Sequence, residues 1–312
     1  MLTNILKPSL SVAIVAVAVT DLAIAQTMPG TRAAGMAGAF VAVADDASAV
    51  YWNPAGVATG SFVSAVVQLG QDTKQQSSRQ LSLNQRDTAG MVAFSATALG
   101  LAYYRRAAYG TTAAESAGTG AASREDLGRS VQAFRTSTLG ATVVQSLTEH
   151  IVVGATPKFV HGADGSAFDV DAGAMVWVNR FRVGVAARNL ATPSFESEAG
   201  EIELGREVTV GAAWGSGWTG ISRVIASVDR DLTSRVTPTG DRRDLAAGVE
   251  TWWLAQRLGL RGGWRASTIG DARVALAAGI SAGLKPGMLV EAHVVRGHAD
   301  ARSWSVGARV SF

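Results

Sequence analysis

The sequence predicts an all-β protein, a transmembrane antiparallel β-barrel of about fourteen strands. Three observations point to it. The chain is apolar and poor in charge, yet no run in it suits a membrane-spanning helix. Its C-terminal half alternates greasy with small or charged residues at a period of two. The alternating segments are joined by connections that are short at every second position.

Hydrophobic residues make up 47% of the 312 positions and charged residues 17%, against about 25% charged in an ordinary soluble domain. Glycine is abundant at 35 and proline scarce at 7, so the composition is not that of a disordered chain. The absence of cysteine excludes a disulfide scaffold, a thiolate metal site and a cysteine nucleophile. With 28 basic and 25 acidic residues the net charge is +3, too balanced for a nucleic-acid binder.

Residues 1–25 read as a cleaved export signal. Lys7 supplies the positive start, residues 10–19 an apolar core, and Ala23-Ile24-Ala25 small residues before the cut. That core is too short to cross about 30 Å of hydrocarbon as a helix. Downstream, the uncharged stretch 47–71 is interrupted by Asn53-Pro54-Ala55-Gly56, and 88–104 contains Gly90, Ser95, Thr97 and Gly100. Neither stretch suggests a helical bundle.

The alternation is plainest at the end of the chain. Trp304, Val306, Ala308, Val310 and Phe312 fall on one face, with Ser303, Ser305, Gly307, Arg309 and Ser311 on the other. Residues two apart share a face in a strand, not in a helix. Segments 288–296, 273–283 and 257–266 repeat the pattern. A soluble sandwich also alternates, but here the polar face is rich in Gly, Ser and Arg, and Trp and Phe sit near the segment ends. Apolar-out, polar-in segments of about ten residues are the signature of an outer-membrane barrel. Such a closed sheet pairs every backbone group without an edge.

Extended upstream, the pattern gives strands over 61–70, 89–95, 99–107, 130–146, 151–161, 167–178, 181–190, 206–215, 220–230, 243–253, 257–266, 273–283, 288–296 and 302–312. Reading 89–107 as one strand favours twelve. Connections after even strands are uniformly short and several after odd strands are long, which puts both termini on the periplasmic side.

The block after the leader, 26–60, does not alternate. It contains Gly35-Met36-Ala37-Gly38-Ala39-Phe40, then Asp45-Asp46-Ala47-Ser48, and ends on Tyr51-Trp52-Asn53-Pro54-Ala55. Asp45 or Asp46 is placed to cap a short helix over 47–52, and Asn53-Pro54 to end it. This block resembles the N-terminal hatch of the FadL-like long-chain fatty acid and aromatic-hydrocarbon transporters of the outer membrane, on Gly35, Gly38, Phe40, Asp45, Asp46, Asn53, Pro54 and Ala55. PorV-like secretion proteins share the same opening. The resemblance implies three parts: leader 1–25, a hatch over 26–60 inside the lumen, and a barrel over 61–312. It implies a passive outer-membrane channel for long-chain fatty acids or aromatic hydrocarbons, or alternatively a barrel that serves as a secretion or assembly partner. It also implies outer-membrane lipid and a hydrophobic ligand as partners, and Phe312 as a signal to the barrel assembly machinery.

Transporters of this kind have a kinked wall, for which Gly100 and Pro157 are the candidates; proline cannot donate to a sheet ladder. Arg257, Arg261 and Arg265 form a basic ladder on one strand, read either as a track for carboxylate ligands or as partners of wall carboxylates such as Asp244 and Glu250. Gly279-Ile280-Ser281-Ala282-Gly283 matches a nucleophile elbow, but that motif needs a strand-to-helix turn and sits here within an alternating strand, so no enzyme is expected. The four histidines, His150, His161, His293 and His298, lack metal-ligand spacing, so no metal or cofactor is expected. Residues 113–123 read as a flexible outer loop.

Overall fold

Side chains that alternate between two environments need a sheet with two unlike faces, and the chain supplies one by closing on itself. The structure, a computed structural model, describes residues 28–78, 81–112, 130–162, 165–196, 201–216, 223–237, 241–270, 273–297 and 301–312. Residues 1–25, expected as a leader, residues 113–123, expected as an outer loop, and His298 lie outside the described residues.

Fourteen antiparallel strands form the barrel. They are β1 (Val63–Ser78), β2 (Leu81–Ala96), β3 (Leu99–Thr112), β4 (Ser130–Ser146), β5 (Ile151–Gly162), β6 (Gly165–Val178) and β7 (Phe181–Arg188), then β10 (Glu207–Gly215), β11 (Arg223–Asp231), β12 (Asp244–Trp253), β13 (Leu258–Ser267), β14 (Val274–Lys285), β15 (Met288–Arg296) and β16 (Arg302–Ser311). Two short strands, β8 (Ser194–Phe195) and β9 (Ile202–Glu203), lie in the connection from β7 to β10. Each barrel strand pairs with its sequence neighbour, and β1 closes the ring on β16 from Ser64↔Ser311 to Thr73↔Arg302. Phe312 completes the seam. Its N–H donates to the Val63 carbonyl at 2.9 Å and its carbonyl accepts from Val63 at 3.0 Å.

The division at 89–107 that separates twelve strands from fourteen is real, with Ala96 pairing directly with Leu99 across a tight turn. One expected loop is not a loop. Residues 71–88 extend β1 and β2, whose pairing runs out to Ser78↔Leu81. These residues are almost all polar, so hydrophobic alternation could not reveal the strand.

The two faces are unlike, as the period required. On β7, Phe181, Val183 and Val185 point outward and are exposed, while Arg182, Gly184 and Ala186 point inward. Trp214, Trp264 and Trp304 also lie outside. Outside the membrane such a belt is costly; in hydrocarbon it is the favourable solvent match.

Two of the wall's local irregularities bear on the expected kink. Pro157 faces outward on β5, and beside it the β4–β5 ladder stops after Gly140↔Lys158 and resumes at Val143↔Ala155 in the same register. The missing N–H thus removes rungs without a bulge. Thr142 and Thr156 bridge the gap, hydroxyl to hydroxyl, at 2.7 Å. The second irregularity lies between β2 and β3. Their pairing ends at Gly90↔Arg105, although β2 continues against β1 and β3 against β4. Gly100 does not kink the wall: β3 pairs through it with Ser95 and Thr142. Its missing side chain instead leaves room for Val50, whose Cγ2 would stand 2.7 Å from a Cβ there.

Candidate functional site

The N-terminal block lies inside the ring. It contains α1 (Thr31–Gly35), α2 (Ala49–Trp52) and a 3₁₀ turn over Pro54–Thr59. Helices this short gain little from their own hydrogen bonds; burial holds them. Nearly every residue from 29 to 57 is buried. Phe40, Val43, Val50, Tyr51 and Trp52 pack against Val66, Met91, Ala93, Tyr104, Ala213 and Ile225 of the wall. The Tyr51 ring meets Trp52 and Tyr104 edge-on, each at 5.3 Å. Gly38 takes φ +77°, the left-handed turn that carries the chain out of α1.

The helix expected over 47–52 is assigned over Ala49–Trp52. Asp46 caps the turn that leads into it, its carboxylate accepting the Ser48 backbone N–H at 2.9 Å and the Ser48 hydroxyl at 2.5 Å. Asn53 ends α2 and opens the 3₁₀ turn, accepting from the Ala55 N–H at 3.2 Å.

Asn53-Pro54-Ala55 is seated in a notch of glycines. The Asn53 amide donates to the Val41 carbonyl at 2.9 Å and to the Ala174 carbonyl of β6 at 3.2 Å. Three neighbouring strands lack a Cβ at this point. Added Cβ atoms would lie 2.7 Å from Pro54 at Gly154, 2.0 Å from Asn53 Oδ1 at Gly173, and 2.7 Å from the Val41 carbonyl at Gly184. Two strands further along the wall from β7, on β11, Asp229 accepts the N–H groups of Phe40 and Val41 at 2.6 and 2.7 Å.

Only three residues between 28 and 60 are charged, Arg32, Asp45 and Asp46, and they form one network. Arg32, 1% exposed, donates to both oxygens of Glu250 on β12 and to Asp45 and Asp46. Burial opposes ionisation of Asp45, but Arg32, Arg223 and Arg182 outweigh it and hold the carboxyl below the ordinary aspartate range. Arg261 and Arg309 join through Glu291. A second tier lies nearer the long loops, where Arg188 and Arg235 share Glu207, and Arg235, Arg242 and Arg265 share Asp244. A third joins Lys158 to Asp169 and Asp171 at 3.1 and 2.6 Å.

The basic ladder is therefore two residues, not three. Arg261 faces Glu250 and Glu291, and Arg265 faces Asp244. Arg257 is exposed and sits in the turn before β13. Leu254, Ala255 and Gln256 run left-handed at φ 54°, 53° and 63°, so the strand period begins only at Leu258. Ser281 lies in the unbroken β14, donates to Glu291 at 2.7 Å and also binds Arg261. His293 meets Ser305 at 2.8 Å instead, so Ser281 and His293 form no proton relay.

At the long-loop end, the connection from β7 to β10 folds over the opening. Asp171 accepts the Asn189 N–H at 3.0 Å, and Asp169 accepts the Ala191 N–H at 3.1 Å. Phe195 and Leu204 pack with Ala108 and Val160. β9 pairs with β3 at Thr111↔Glu203 and Thr112↔Ile202, on the edge that β2 has left.

Arg32, Asp229, Glu250 and the glycine notch carry the docking of the block, and the sequence reading passed over them as docking groups. A signal was present in Arg32, a lone cation in an apolar segment, which requires a buried carboxylate on another element.

Solved structures resemble this architecture. The chain matches the Pseudomonas putida toluene transporter TodX at TM-score 0.59 and 10% identity, covering 91% of this chain and 98% of that one. The Ralstonia pickettii toluene transporter TbuX matches at 0.58 and 13%, with 91% and 98% covered. A Pseudomonas aeruginosa FadL homologue matches at 0.56 and 12%, with 94% and 100% covered. The chain thus has the fold of the FadL-like channels. In sequence, the family profile described as F plasmid transfer operon, TraF, protein matches residues 161–231. No curated protein matches.

Proposed function

We propose that this protein is an outer-membrane passive channel for hydrophobic small molecules, long-chain fatty acids or aromatic hydrocarbons, with the block over 26–60 as a hatch in the bore. The observation that supports this most is a lipid-facing closed barrel whose bore is occupied by its own N-terminal segment, in a fold shared with toluene transporters. Residues 1–25 serve as the export signal, and Phe312 as the mark read by the assembly machinery.

The chemistry of passage follows from the wall. A greasy molecule does not cross ionic tiers of arginine and carboxylate without a heavy desolvation cost. The seam where β2 leaves β3 beyond Gly90 and Arg105 offers a sideways route out of the bore, and β9 pairs with β3 on that edge. Deletion of 26–56 tests the reading: conductance across planar bilayers rises if the block closes the bore, and unchanged conductance refutes it.

The match of 161–231 to the TraF profile favours a second reading, a barrel that acts as a secretion or assembly partner. Stable co-purification with a partner, together with normal uptake of fatty acids and aromatics in a deletion strain, would select it.

A further inference from the structure

The short-turn end of the barrel holds a cavity of about 750 Å³. It lies between the Asp45 side of the N-terminal block, the turn at 254–257 and the tight turn between β14 and β15. Five cationic side chains line it, Arg182, Arg223, Arg257, Lys285 and Arg309, and among the described residues Asp45 is the one carboxylate in its wall. Asp45 is already engaged by Arg32, with Arg182 and Arg223 each 3.9 Å from its other oxygen.

A second observation concerns Trp252, which lines the same cavity and is 2% exposed. The guanidinium groups of Arg261 and Arg309 both approach its ring, at 5.7 and 5.6 Å from the centroid. Its indole N–H is buried and has no acceptor among the described residues, and Arg309 Nε is in the same condition. A buried donor without an acceptor is costly. Both orphaned groups are donors, and the surrounding wall carries excess positive charge. An anion would supply acceptors to both and suit the cationic wall.

We propose that this cavity is an oxyanion-binding site that takes a carboxylate or phosphate headgroup carrying a short apolar chain. Its volume is that of a small-molecule site rather than an ion site, and Leu289, Pro286 and the Trp252 ring give the chain apolar contact. The anion accepts from Trp252 Nε1 and Arg309 and relieves the crowding of guanidinium groups on Asp45. Arg257 and Lys285, exposed at the rim, draw it in. The site lies at the mouth, so the inference holds whether or not molecules pass through the barrel.

Calorimetry on the full-length protein in a non-ionic detergent tests it, with octanoate, octyl phosphate, 1-octanol and inorganic phosphate as probes. Octanoate and octyl phosphate bind at one per barrel and 1-octanol does not. The double variant R257Q/K285Q, confined to exposed positions, weakens octanoate about five-fold, and added salt does likewise. Trp252→Phe keeps the ring and removes the donor, weakening binding by about five- to ten-fold. Inorganic phosphate binding as tightly as octyl phosphate assigns the site to a free anion, and weaker binding assigns it to an amphiphile; either supports the site. Equal binding of 1-octanol and octanoate, no binding of either amphiphilic anion, or parental affinity in both variants overturns it.

Discussion

Arg32 and Glu250 form a two-pronged ion pair across the boundary between the N-terminal block and the wall, with Nε to Oε2 at 2.7 Å and Nη2 to Oε1 at 2.8 Å. Two parallel charge-assisted bonds fix direction as well as distance. Both side chains are essentially buried, so loss of Arg32 strips Glu250 of its two short bonds and leaves it the 3.4 Å contacts from Arg261 and Arg223. Arg32→Ala is expected to destabilise docking of the block by about 3–5 kcal/mol. The barrel, closed by its own ladders, stays folded. Conductance in planar bilayers, compared with heat-induced gel mobility of the barrel, checks the pair of expectations.

The glycine notch makes a steric prediction. Gly173→Ala places a Cβ 2.0 Å from Asn53 Oδ1, a separation that no packed pair tolerates. Asn53 is displaced and its bond to Ala174 is lost. Asn53→Ala, which removes the amide without adding bulk, costs about 1–3 kcal/mol. Protease accessibility of 28–60 reads both, and the glycine substitution is expected to expose the segment more.

Asp45 sets a pH dependence. Its folded carboxyl is held below the ordinary range, so its contribution to docking is present above the unfolded value of about 4 and is lost as pH falls through the folded one. Acidification below about pH 4 is expected to raise conductance. Asp45→Asn shows the raised level at neutral pH and a flatter response to acid. A parent and variant with the same acid response would remove Asp45 from this role.

Asp171 ties down the loop over the opposite mouth, through the Asn189 N–H at 3.0 Å and Lys158 at 2.6 Å. Asp171→Ala is expected to loosen 189–206 by about 1–3 kcal/mol. Amide exchange in that loop rises while exchange in β12–β16 does not change.

The strands were legible because period two is a local property. Trp304 and Ser305 show their opposite faces without reference to any neighbour, and the same alternation located all fourteen barrel strands. It missed the polar extension of β1 and β2 over 71–88 and the end of β3 beyond 107. Arg257 misled because a left-handed turn interrupts the period just before β13, and no residue type announces that turn.

The sequence by itself determined that the chain closes a lipid-facing sheet and that the segment before β1 does not alternate like a strand, since alternation and its absence are written residue by residue. Only the tertiary structure decided which carboxylate answers Arg32, which glycines make room for Asn53, and where β2 parts from β3. Those depend on which strands come to face one another across the ring. Ion pairing and close approach act through space over a few ångströms, between residues as far apart in the chain as 32 and 250.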